Sequence, residues 1–104
     1  NMNFKEPYRT IEEYYEIIVQ LITSIMYAEG YKTLSHISLI GYLEKNYKEF
    51  SNGEIKIIDI LRKFRHGTVY YGRKIKSEFL INNEEIIKNI INKLFDITKK
   101  KVKE

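Results

Sequence analysis

Apolar residues recur along this chain at three- and four-residue steps, in four blocks separated by short polar stretches. That periodicity predicts four amphipathic helices. The first block carries Ile11, Tyr14, Ile18, Leu21, Ile25 and Ala28 on one face. Thr10-Ile-Glu-Glu13 reads as the capping box that opens it, and Gly30 sits where a left-handed cap would close it. The second block starts near Thr33 to Ser35 and runs to about Tyr47, with Leu39, Ile40 and Leu43 as its apolar side and Ile37 and Tyr42 flanking. Ser51 stands three residues before Glu54, a second capping box, and opens a third helix striped by Ile57, Leu61, Phe64, Thr68, Tyr71 and Ile75. Residues 76–82 read as a connector whose Phe79, Leu80 and Ile81 pack back on the core. Asn82 or Asn83 then caps a fourth helix, with Glu84 and Glu85 in its first turn and Ile87, Ile90, Ile91, Leu94 and Ile97 inward. Short connections between such helices imply antiparallel neighbours. The expected fold is therefore all-α, an up-and-down four-helix bundle forming one domain over 1–104, with 1–8 and 99–104 flexible.

Composition narrows the chemistry. The 104 residues include no cysteine, which excludes a disulfide framework, a thiolate metal site and a cysteine nucleophile. One proline and five glycines argue against a turn-rich β fold. No stretch matches a signal peptide or a membrane span: Gln20, Thr23 and Ser24 interrupt the longest apolar run, from Ile17 to Tyr27. A cytoplasmic protein without membrane, metal or cofactor is expected. The net charge of +4 suits a nucleic-acid or nucleotide partner but falls short of a DNA-coating protein.

The stretch Leu61-Arg-Lys-Phe-Arg-His-Gly-Thr-Val-Tyr-Tyr-Gly-Arg-Lys74 stands apart, holding three of the four arginines and one of the two histidines. Gly67 costs about 1 kcal/mol relative to alanine inside a helix, so a close approach or a kink is one reason for it. At about 100° per residue from Phe64, Arg65 falls at the edge of the core beside Ile58, Val69 and Gly72. Arg62, Arg73 and His66 fall on the outer face, and Tyr70 lies further round. Arg65 is thus expected half-buried and in need of an acceptor. Ile58 and Val69 form a spare apolar strip beside it, which reads as a dimer interface. The bland alternative is a solvated basic face, with Arg65 satisfied by an internal carboxylate such as Glu16 or Asp59 and no cleft.

Read as L-R-x-x-R-H-x-x-x-Y-Y-G, residues 61–72 resemble the signature helix of HEPN domains, the higher-eukaryote and prokaryote nucleotide-binding family. The likeness is to small archaeal members with an R-N-x-x-x-Y-x-G variant. Gly30-Tyr31-Lys32, followed by His36, resembles the same subgroup. The resemblance implies a helical homodimer that places the signature arginine in a cleft between protomers. Members are metal-independent RNases or non-catalytic partners of small nucleotidyltransferases in toxin–antitoxin pairs.

Arg65 matches the signature arginine and His66 the polar residue after it. The family's histidine falls at Tyr70 or Tyr71, and a phenol of pKa about 10 is a poor base at neutral pH. The resemblance therefore implies a non-catalytic dimer that binds RNA, a nucleotide or a nucleotidyltransferase partner. Arg62 and Arg65 would clamp phosphate, Tyr70 and Tyr71 would shape the cleft and stack on a base, and Lys32, Lys63, Arg73 and Lys74 would add attraction. A metal-independent endoribonuclease is the alternative. Its candidates are Arg65, His66, His36 and Tyr70, and it requires a fold that brings an imidazole to Arg65. A structural bundle with no ligand is the third reading.

Overall fold

A computed structural model of the chain describes residues 6–32, 35–67 and 70–103. These are all-helical, with no strand among them: α1 Pro7–Ala28, α2 His36–Asn46, α3 Asn52–His66 and α4 Arg73–Lys103. All four helices contribute to one apolar core. α1 buries Ile11, Tyr15, Ile18, Ile22 and Ile25, and α3 meets it with Ile58, Leu61 and Phe64. α4 adds Ile87, Ile90 and Leu94, while the short α2 closes one side with Leu39, Ile40 and Leu43. No described helix is long and apolar enough to cross a membrane.

Two predicted boundaries hold in detail. Ser51 accepts from the Glu54 amide while the Glu54 carboxylate accepts from the Ser51 amide, so the capping box of α3 is complete. α1 ends in a Schellman motif, with the Tyr31 amide bonded to the Met26 carbonyl and Gly30 to Tyr27. Gly30 takes φ 88°, a backbone conformation that side chains with a Cβ resist.

Other boundaries move. α1 starts three residues before Thr10, because Pro7 fits the first helical position, where no amide donor is needed. Thr10 is within the helix and its amide bonds to the Glu6 carbonyl. α3 stops at His66, since Gly67 adopts φ 76° and caps it in the left-handed region. The predicted continuation of its stripe through Tyr71 and Ile75 therefore does not exist, and Thr68 lies outside the described residues. α4 begins at Arg73 and runs 31 residues without a break. The expected connector at 76–82 is helix, because it contains neither glycine nor proline. Asn83 sits inside it, with its side-chain amide on the Phe79 carbonyl. Ile81, expected to pack inward, is 80 % exposed. The basic tail is helical as far as Lys103 and is pinned by Lys101 to Glu29 at 2.9 Å.

The helix directions correct the up-and-down expectation. Tyr14 of α1 bonds to Glu84 early in α4, and Glu29 just past α1 pairs with Lys101 late in α4, so these two helices run parallel. Tyr15 meets His36 at the start of α2, and Glu29 meets Tyr47 at its end, so α2 is parallel to α1 as well. Only α3 runs the other way, with Arg65 beside Glu12 of α1 and Glu54 beside Lys93 of α4. The cause is the link between Ala28 and His36. It carries the chain back along the bundle before α2 begins, where a tight turn would have made α2 antiparallel.

Ile58, placed by its helix angle in an interface strip, is fully buried within the chain's own core. Ile58→Ala should therefore cost about 2–5 kcal/mol of stability in urea denaturation, the loss typical of a large-to-small change in a core.

Candidate phosphate-binding cleft

Because α2 is parallel to α1, its N-terminus lies against the C-terminal turn of α3. Ser35 caps α2 by accepting from the Ser38 amide, and His36 is the first helical residue. Arg62, Arg65 and His66 sit in the last two turns of α3, where the helix dipole favours cations. Between the two helix ends is a cleft of about 310 Å³ lined by Ser35, His36, Ile37, Arg62, Arg65 and His66. Both histidines of the chain thus share a cleft with two of its arginines. The diverging directions of Arg65 and His66 on α3 do not prevent this, because the end of α2 spans both.

Both guanidinium groups are held by carboxylates through Nε. Arg62 Nε lies 2.9 Å from Asp59 Oδ1 and Arg65 Nε 3.3 Å from Glu12 Oε2. No hydrogen bond from a terminal Nη group of either is present among the described residues. A guanidinium anchored by one edge and open at the other is suited to a second, anionic ligand. Exposure reverses the helical-wheel expectation: the Arg62 side chain is 18 % exposed and that of Arg65 43 %. The wheel places residues relative to α3's own stripe and takes no account of the covering α2. Arg65 has an internal carboxylate, but it is Glu12 rather than Glu16 or Asp59, and a cleft exists beside it.

Tyr15 lies in the core behind the cleft, with its hydroxyl 2.9 Å from His36 Nδ1. Burial is the main reason its pKa rises to about 12, so the phenol stays protonated at any physiological pH. Among the described residues the hydroxyl bonds to His36 Nδ1, and when the phenol is the donor the imidazole's proton sits on Nε2. Tyr15 does not stand out in the sequence as a site residue. The available signal was its place four residues after Ile11 and three before Ile18, on the most buried face of α1.

The remaining predicted ligand residues separate from this cleft. Tyr70, Tyr71 and Arg73 line a smaller cleft of about 140 Å³ together with Pro7, Tyr8 and Lys76. Tyr71 packs edge-on against Phe64, with ring centroids 4.7 Å apart, whereas Tyr70 is 88 % exposed. Arg73 pairs with Glu6 at 3.3 Å. Lys74 and Lys32 are exposed and line neither cleft, and Lys63 reinforces Asp59 at 3.4 Å. The clefts are joined through Glu12, which accepts from the Tyr8 hydroxyl and holds Arg65, while Lys76 lies over the Tyr8 ring. Val69 lies outside the described residues.

Compared with protein-family models, curated proteins and solved structures, the chain matches none. The geometry of the cleft is therefore what bears on its chemistry.

Asp59 sets the orientation of Arg62. Partial burial, the largest influence, raises its pKa. The hydrogen bonds and charges of Arg62 and Lys63 together outweigh that and hold it below the ordinary value. A depressed folded-state pKa means that this stabilisation is complete above the unfolded value of about 3.9 and is lost as pH falls through the folded one. Urea titrations of Asp59→Asn between neutral pH and about pH 3 should show a shallower acid decline than the parent. The loss at neutral pH should stay below about 1 kcal/mol, because the carboxylate is partly solvated.

Proposed function

We propose that this end of the bundle binds the phosphates of RNA or a nucleotide, in a HEPN-like, non-catalytic helical dimer, with binding of a nucleotidyltransferase partner as the alternative role. The observation that carries the reading is the convergence of Arg62, Arg65, His36 and His66 on one cleft at the start of α2. The Nη groups of both arginines offer fork-shaped donors, and the N-terminal end of α2 adds a favourable dipole. The likeness of residues 61–72 to the HEPN signature points to the same ligand class.

His36 argues for holding rather than cutting. In the tautomer in which the Tyr15 hydroxyl donates to Nδ1, Nε2 carries the proton and can donate it to a phosphate oxygen. Removing a 2′-hydroxyl proton requires the opposite, an unprotonated ring nitrogen facing the substrate. The endoribonuclease reading keeps one specific support, His66, an exposed imidazole beside the same two arginines.

Fluorescence anisotropy with labelled single-stranded RNA, competed by ATP, tests the proposal. Arg62→Ala and Arg65→Ala should each weaken binding by about tenfold or more, the worth of a charge-assisted hydrogen bond, and lower the salt slope by about one. Lys48→Ala, at the far end of the bundle, should leave binding unchanged. Incubating the same RNA with the protein in EDTA separates the two readings. Intact RNA supports binding alone, and cleavage abolished by His66→Ala would establish the nuclease.

A further inference from the structure

α4 carries a stripe that the core does not use. Ile81, Lys88, Phe95 and Val102 follow one another at seven-residue steps. A step of seven turns a helix by only about 20° from register, so these four side chains stay on one flank over roughly 32 Å. Ile81 and Val102 are each 80 % exposed and Phe95 52 %. At the C-terminal end of the stripe is a shallow groove of about 230 Å³, formed by Phe95, Thr98, Val102 and the stems of Lys99 and Lys103. Ile81, at the other end, is a projecting knob.

The geometry points to a second copy of this chain as the occupant, with the two α4 helices packed antiparallel about a two-fold axis between Ile91 and Asn92. In that register the residue numbers of facing positions sum to 183. Ile81 then meets Val102 at the partner's groove, and Val102 receives the partner's Ile81 in return, as an isologous contact requires. Lys88 faces Phe95, a cation over an aromatic ring. Glu84 faces Lys99, with Glu85 one position off that register and still beside it, so the acidic start of the flank lies against its basic end. A parallel pairing would instead set lysine against lysine and glutamate against glutamate. Knob, groove and charge are thus complementary in one orientation.

This assignment deepens the dimer part of the reading above and is independent of its phosphate part. It also replaces the interface first expected at Ile58, which is buried within one chain.

Sedimentation equilibrium at about 100 µM tests it, since a complex with a Kd near 10 µM is mostly assembled there. The intact chain should be dimeric. Phe95→Glu and Ile81→Glu should weaken the dimer at least tenfold while circular dichroism stays unchanged, as both side chains are exposed. Lys99→Glu and Glu85→Lys should each weaken it, and the double charge swap in one chain should restore it. A monomeric parent would overturn both the dimer and this interface. A dimeric parent unaffected by Ile81→Glu and Phe95→Glu, or a charge swap without rescue, would overturn the interface and leave the dimer standing.

Discussion

The return of the chain between Ala28 and His36 constrains the rest of the molecule. α1 ends at one end of the bundle and α2 begins near the level of Tyr15, about 20 Å back along it. Once α2 is parallel to α1, the long α4 is left parallel to both and α3 alone opposes them. Three helix N-termini then gather at one end, and their dipoles add where an up-and-down bundle would let neighbours cancel. All four arginines belong to this end, Arg9 in the first turn of α1 and Arg73 at the start of α4.

Concentrating positive charge in this way is costly unless anions are supplied. Resident carboxylates supply part of the answer. Glu6 meets Arg73, Glu12 meets Arg65 and Asp59 meets Arg62, each within 3.3 Å. Glu6 is the N-cap residue of α1, where its dipole also favours an acid. The opposite end carries the matching logic: Glu29 lies between Lys101 and the Tyr47 hydroxyl, tying α1, α2 and α4 together where their C-termini converge.

Much of this was legible in the sequence, because local rules governed it. The Ser51 capping box, the Gly30 cap and the inward sides of α2 and α4 follow from hydrogen bonds and periodicity within a few residues. The boundary between α3 and α4 did not. Gly67 is compatible in sequence with a kink but terminates the helix, while Asn82 and Asn83 have the chemistry of caps in a segment with nothing else to break it. That one displacement moved Tyr70, Tyr71 and Arg73 off the helix that holds Arg62 and Arg65. It also divided one anticipated face into two clefts. His36 was the opposite case: its closeness to Arg65 depends on the direction of α2, which no local pattern encodes.

The carboxylate pairs also shape how the cleft could meet a ligand. If Asp59 and Glu12 occupied the whole guanidinium edge, a phosphate would have to displace them and pay for two broken ion pairs. Both instead bind through Nε, so a ligand can use Nη while the acids stay in place. The acids thereby fix the direction of each fork before a ligand arrives and reduce the side-chain entropy lost on binding. The same arrangement limits affinity, because each carboxylate repels an incoming anion. Arg62 is the better-held donor, being the more enclosed of the two and having the shorter ion pair. Arg65, reached from solvent and linked through Glu12 to Tyr8, is the one placed to couple the first cleft to the aromatic cleft beside it.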